Sequence, residues 1–121
     1  MERYNEEFLR LYDNKEEIPD FILRQVLCNN RIIAEEFGEN RRWTRSAVTV
    51  IEIPTENETR LFAIDWEEGL TEYQENIYWS ATEVEVQMDM QQLKLEVATT
   101  KYIDKRTGDV AAVHEDVVRI D

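Results

Sequence analysis

One cysteine, one histidine, two prolines and three glycines in 121 residues exclude several kinds of protein at once. A lone thiol, Cys28, closes no internal disulfide, so packing alone must hold the chain together. A lone imidazole, His114, rules out two-histidine metal motifs, and no nucleophile stands in a local catalytic pattern. Three glycines do not furnish a phosphate-cradling loop. No apolar run approaches the roughly 18 residues needed to cross a bilayer, and no basic-then-apolar leader is present, so a cytoplasmic protein is expected. Basic residues are scarce as well. Fourteen Lys+Arg face 27 Asp+Glu for a net charge of −13, which repels phosphate and anionic lipid and argues against direct binding of nucleic acid or membrane.

What is present is apolar area and unevenly placed acid. With 42% apolar residues and 12 aromatics, the chain reads as one domain over residues 1–121, able to bury roughly two-thirds of its unfolded surface. Residues 1–40 carry −5, 41–60 carry +1, 61–90 carry −8 and 91–121 carry −1. The stretch 61–90 contains neither Lys nor Arg. More than half of the net charge therefore sits in a quarter of the chain.

The patterning predicts an α+β domain, with a helical part over 1–30 and an antiparallel sheet over 31–121. Tyr4, Phe8 and Tyr12, with Leu9 and Leu11 beside them, repeat at the helical period over residues 2–13. Pro19 opens a second helix whose Phe21, Ile22, Leu23, Val26 and Leu27 face inward, with Cys28 as a small packed thiol and Asn29-Asn30 as the stop. Ile33 and Phe37 then alternate with charged neighbours, Gly38-Glu39-Asn40 turns the chain, and Trp43–Ile53 returns as a strand. Its apolar face moves from Val48 and Val50 to Ile51 and Ile53, which implies a bulge or a sheet covered on both faces. After a polar loop, Phe62, Ile64 and Trp66 share one side of a third strand that Gly69 closes.

Thr71 and Gln74 match a capping box, predicting a short helical turn near 72–78. Val84, Val86, Met88 and Met90 alternate with Glu83, Glu85, Gln87 and Asp89 as a half-buried strand. A tight turn at Gln91-Gln92 would set Leu93, Leu95 and Val97 against Met90, Met88 and Val86, and Asp89 against Lys94. Thr107-Gly108-Asp109 marks a last hairpin. One or two helices packed on a meander of about five or six strands follow.

Chemistry is thinly represented. His114-Glu115-Asp116 reads as a polar strand end, and Asp65, Glu67 and Glu68 lack calcium-loop spacing, so neither a metal nor another cofactor is expected. The chain is expected not to be an enzyme. Arg41-Arg42-Trp43-Thr44-Arg45 is the one basic and aromatic cluster. Its arginines are expected to pair across the hairpin with Glu35 and Glu36; the alternative is a small-anion site on Arg41, Arg42 and Arg45.

The acidic segment carries the functional argument. Alternate side chains on a strand lie about 6.8 Å apart, close to two steps of the roughly 3.4 Å rise per nucleotide of DNA. Glu83, Glu85 and Asp89, with Asp65, Glu67, Glu68, Glu72 and Glu75, can form a row of carboxylates that imitates phosphates. On the acids alone, a solvated sheet face kept from edge pairing is the simpler account. Tyr73, Tyr78 and Trp79 add the aromatic anchors that solubility does not need.

The stretch from Arg42-Trp43 to Trp79, above all Ala63-Ile64-Asp65-Trp66-Glu67-Glu68-Gly69-Leu70-Thr71-Glu72-Tyr73-Gln74-Glu75-Asn76, resembles a segment of small uncharacterised proteins of Gram-positive phages and mobile elements. Such proteins resemble, as a class, anti-CRISPR inhibitors. The resemblance implies a counter-defence protein in the bacterial host cytoplasm, bound to the nucleic-acid or protospacer-adjacent-motif channel of a defence nuclease. Immunity or antitoxin action on a basic toxin nuclease is the alternative, followed by a sponge for a small anionic ligand.

Overall fold

A computed structural model describes residues 3–40, 43–91 and 96–118, with side chains of 3–40, 43–86 and 100–114. Two helices, α1 (Arg3–Asp13) and α2 (Asp20–Asn29), precede six strands: β1 (Arg31–Asn40), β2 (Thr44–Pro54), β3 (Thr59–Gly69), β4 (Ile77–Gln91), β5 (Glu96–Asp104) and β6 (Val110–Val118). The strands form one antiparallel meander in the order β1-β2-β3-β4-β5-β6. The α+β architecture is the expected one, and none of its described helices is long and apolar enough to cross a membrane.

The helices close on the sheet through the predicted stripes. Phe8, Leu9, Leu11 and Tyr12 of α1 and Ile22, Leu23, Val26 and Leu27 of α2 are buried against Ile51, Ile53, Phe62, Ile64 and Trp66. Helix α1 ends with Lys15 in the left-handed region (φ 56°). Bonds from Lys15 N–H to the Tyr12 carbonyl (3.1 Å) and from Glu16 N–H to the Leu11 carbonyl (2.9 Å) satisfy its last carbonyls. Asn5, buried near the start of α1, exchanges side-chain hydrogen bonds of 3.0 and 2.8 Å with Asn30 just after α2. Phe21 and Cys28 depart from expectation. Both are exposed, because they lie on the solvent side of α2, away from the Ile22–Val26 row.

Strand β2 pairs with β3 without interruption from Thr44↔Gly69 to Pro54↔Thr59, whereas its pairing with β1 shifts register between Ile32 and Ala34, opposite Ile51 and Val50, with the extra residue Ile33 on β1. Both faces of β2 are covered as well. Ala47, Ile51 and Ile53 meet the helical layer, while Val50 belongs to a second core with Ala34, Ala63, Val84, Tyr102 and Ala112. Neither described helix contributes to that second core. A flat sheet of six strands would hold β1 and β6 about 24 Å apart, yet they come into contact, so the sheet curls into a half-barrel around its small Ala and Val side chains.

Three local expectations are corrected. Residues Gly38, Glu39 and Asn40 do not turn the chain but extend β1, the connection to β2 lying beyond Asn40. The Thr71–Gln74 match builds only a single turn, closed by Gln74 N–H to the Thr71 carbonyl at 3.1 Å, and β4 begins at Ile77 where helix was expected. The strand after it pairs Val86 with Tyr102, Met88 with Thr100 and Met90 with Ala98. The turn is therefore not at Gln91-Gln92, and Val97 faces Gln91 rather than Val86. Without an Asn-Gly pair, period-two alternation fixes which face a residue takes but not how long the connection is. The Thr107–Asp109 hairpin stands as expected, with Gly108 at φ +81° where a side chain would be strained.

Candidate partner-binding surface

The acids of residues 61–90 are divided by the pleat of the sheet. Register pairs Phe62 with Glu83 and Ile64 with Ala81, placing Glu83 and then Glu85 on the helix-bearing face. Asp65 faces Ser80, and Glu67 faces Ile77, on the barrel-interior face. Glu68 returns to the helix side. The expected single row of carboxylates is therefore two groups on opposite faces, and Asp65, Glu67 and Glu68 do not converge on a common ion. Burial raises the carboxyl of Asp65 above its ordinary 3.8, opposed by a 3.4 Å bond from the Ser80 hydroxyl.

Glu83 is an internal counter-ion. It accepts from Arg60 Nε at 2.8 Å and Arg60 Nη2 at 3.0 Å, and Lys105 Nζ stands 3.4 Å away. The same guanidinium donates to both oxygens of Asp13 at 3.0 and 2.7 Å, and it lies 5.3 Å from the Phe62 ring centroid. Glu83 N–H donates to the Tyr12 hydroxyl at 2.8 Å, and Arg106 Nη2 donates to the Tyr12 carbonyl at 3.0 Å. Only 14% of the Glu83 side chain and 15% of the Arg60 side chain are exposed. Their hydrogen bonds and charges hold Asp13 and Glu83 below the usual carboxylate range and Arg60 above its own. Removing Glu83 would therefore disturb the attachment of α1 before it disturbed any partner.

Arg45 is committed in the same way. Its Nη2 and Nε both lie 2.6 Å from Glu68 Oε2, and its guanidinium sits 3.8 Å over the Phe37 ring. The cross-strand pairing expected for this cluster exists, but its acid is Glu68 rather than Glu35 or Glu36. Register explains the difference, since Arg45 lies directly opposite Glu68 on β3. Glu35 instead accepts from the Thr49 hydroxyl at 2.8 Å, and that oxygen accepts from Trp66 Nε1 at 2.9 Å. Arg41 and Arg42 lie outside the described residues, as does the side chain of Asp89.

What remains outward is the β3–β4 connection. Trp66 stacks on Tyr78 at 5.7 Å and meets Phe37 edge-on at 6.1 Å, so Tyr78 continues a ring ladder across the sheet. Asn76, two residues before Tyr78, accepts from Gly69 N–H at 2.9 Å, and Leu70 N–H donates to the Trp43 carbonyl at 2.9 Å. These bonds fold the loop tightly onto Gly69, where an added Cβ would lie 2.0 Å from the Gln74 carbonyl oxygen. The loop thus holds Glu72, Tyr73 and Glu75 in solvent, Tyr73 with 86% exposure. Trp79, the extra residue at the bulge where Asp65 pairs with Ser80 and Trp66 with Tyr78, is 60% exposed. Phe21 of α2 adds a third exposed ring, lining with Glu75 and Tyr78 a cleft of about 440 Å³. Sequence reasoning missed Phe21 because it satisfies the inward stripe of α2 as well as its neighbours do.

The chain matches no protein-family model, no curated protein and no solved structure in the comparisons made.

Proposed function

We propose that this protein is a non-enzymatic acidic binder of the anti-CRISPR type, which occupies the basic nucleic-acid channel of a host defence nuclease. The observation that carries the reading is the β3–β4 loop. It is braced by backbone and side-chain hydrogen bonds, yet it leaves Glu72, Tyr73 and Glu75 exposed to solvent. Carboxylates speed the encounter with a positive channel, and exposed rings supply contact energy once water is excluded. The binding surface is consequently smaller than a whole strand face. It comprises Glu72, Tyr73, Glu75 and Trp79, with Glu85 exposed further along β4.

The test uses purified guide-RNA-loaded nucleases of Gram-positive bacteria as probes, with interferometry to follow binding and target DNA as competitor. Binding should exclude DNA, and the double charge reversal E72K/E75K should slow association at least tenfold at low salt and flatten its salt dependence. Binding that ignores DNA, a charge-reversed protein with unchanged rates, or a panel in which nothing binds overturns the proposal.

A further inference from the structure

Strand β5 stops short of β4. Its pairing begins at Val84↔Asp104, whereas β4 runs back to Ile77 along β3. The outer edge of residues 77–83 therefore has no neighbouring strand among the described residues. Its last groups are satisfied piecemeal: Glu83 N–H by the Tyr12 hydroxyl (2.8 Å), and the Glu83 carbonyl by Lys105 N–H (3.1 Å). In an antiparallel pair every second residue turns both backbone groups to the same side. Ala81 therefore points its N–H and C=O along this open edge, as Glu83 does. Neither group has a partner among the described residues, although Ala81 is only partly exposed.

A cleft of about 360 Å³ lies along that edge. With Trp79, Ser80 and Ala81 it is lined by Lys15, Glu16 and Glu17 of the α1–α2 linker and by Arg106 after β5, two charges of each sign. The bulge at Trp79 places an exposed indole beside the opening.

We propose that this cleft takes an extended basic segment of the partner protein, which adds as a short strand beside Ala81 and lays a side chain on Trp79. An open N–H and C=O side by side call for another main chain. The −13 charge selects its owner: two copies of this chain would bring −13 against −13, whereas a Lys- or Arg-bearing segment is attracted. The inference deepens the proposed function and shares with it only the positive sign of the partner.

The probe is the synthetic peptide acetyl-(Lys-Val)4-amide, added to the intact protein and followed by amide NMR and hydrogen exchange. Saturation should shift the Ala81 amide and slow its exchange at least tenfold. The same peptide with every backbone nitrogen methylated should bind at least tenfold more weakly, as should acetyl-(Glu-Val)4-amide. Trp79→Ala should weaken binding severalfold while the protein stays folded. An unaltered Ala81 amide, equal binding of the methylated or acidic peptide, or an Ala81 amide already protected in a dimer without peptide each overturns the inference. None of these readouts involves the nuclease, so a failed edge leaves the DNA-competition result standing, and the reverse also holds.

Discussion

Replacing Arg60 by Met keeps most of the aliphatic packing over Phe62 but withdraws four hydrogen bonds, two to Asp13 and two to Glu83. Asp13 is half exposed and regains water, so its share of the loss is small. Glu83 is not so placed. With 14% of its side chain exposed it keeps only Lys105, at 3.4 Å and itself 42% exposed. Breaking a largely buried pair on one side costs about 3–5 kcal/mol; the exposure of Asp13 and the survival of Lys105 set the expectation near the lower limit, about 3 kcal/mol. The measurement is urea unfolding followed by tryptophan fluorescence at pH 7.

The pH dependence provides an independent check. Both carboxyls titrate below their ordinary values of 3.8 and 4.5 in the folded state. Their contribution is therefore complete above those values and is lost as pH falls through the lowered folded ones. The gap between the wild type and Arg60→Met should shrink steadily as pH falls below about 4. Glu83→Gln, which keeps the shape and removes the charge, should reproduce the same convergence. A loss under about 1 kcal/mol at pH 7, or a gap that stays constant into acid, refutes the assignment of Glu83 as the counter-ion.

Two further predictions concern the loop and the barrel interior. Gly69→Ala, whose Cβ would meet the Gln74 carbonyl at 2.0 Å, should cost about 1–3 kcal/mol by thermal unfolding, and amide shifts over 70–76 should reveal a displaced loop; unchanged shifts would refute the tight fold-back. Asp65→Asn removes a carboxylate whose raised pKa makes ionisation unfavourable to folding, so it should raise stability at pH 7 and lose that advantage below about pH 3. Equal stabilities at both pH values would count against burial of this group.

The extent to which the sequence discloses this structure follows from the kind of contact involved. The helical stripes of α1 and α2, the faces of β3 and β4 and the Thr107–Asp109 hairpin are local periodicities and turn chemistry, so they are legible from residue order. The double cover of β2 is legible in part, because Val50 and Ile51 signal two buried faces. The curl that buries Val50 is not, since it depends on β1 approaching β6 from seventy residues away. The acids illustrate the same limit. Glu83 alternates with Val84 and looks solvent-facing, but the face opposite Val84 is the one that α1 covers, and its counter-ion arrives from β3. The short turn after Gly69 singles out Tyr73, Tyr78 and Trp79 as surface rings; Tyr73 and Trp79 are exposed, whereas Tyr78 is partly buried and stacks on Trp66.

The uneven charge and the open edge of β4 bear on one another. An unpaired strand edge is normally blunted by a lysine, a proline or a bulge, since it can pair with its own kind. Here the edge has its bulge at Trp79, but Ala81 still offers a pair of backbone groups without a partner among the described residues, beside a cleft of about 360 Å³. Acids that are not neutralised in the Arg60 and Arg45 clusters, such as Glu72, Glu75 and Glu85, serve a second purpose in that setting. Like charge of this size opposes edge-to-edge association of identical chains over about a Debye length, roughly 8 Å at physiological salt. It has the opposite effect on a basic partner. In the proposed interaction, one distribution of carboxylates would keep the edge vacant towards copies of the same chain and draw in the oppositely charged segment that fills it. An edge that uncharged sequences must hide can, in so acidic a chain, stay exposed and selective.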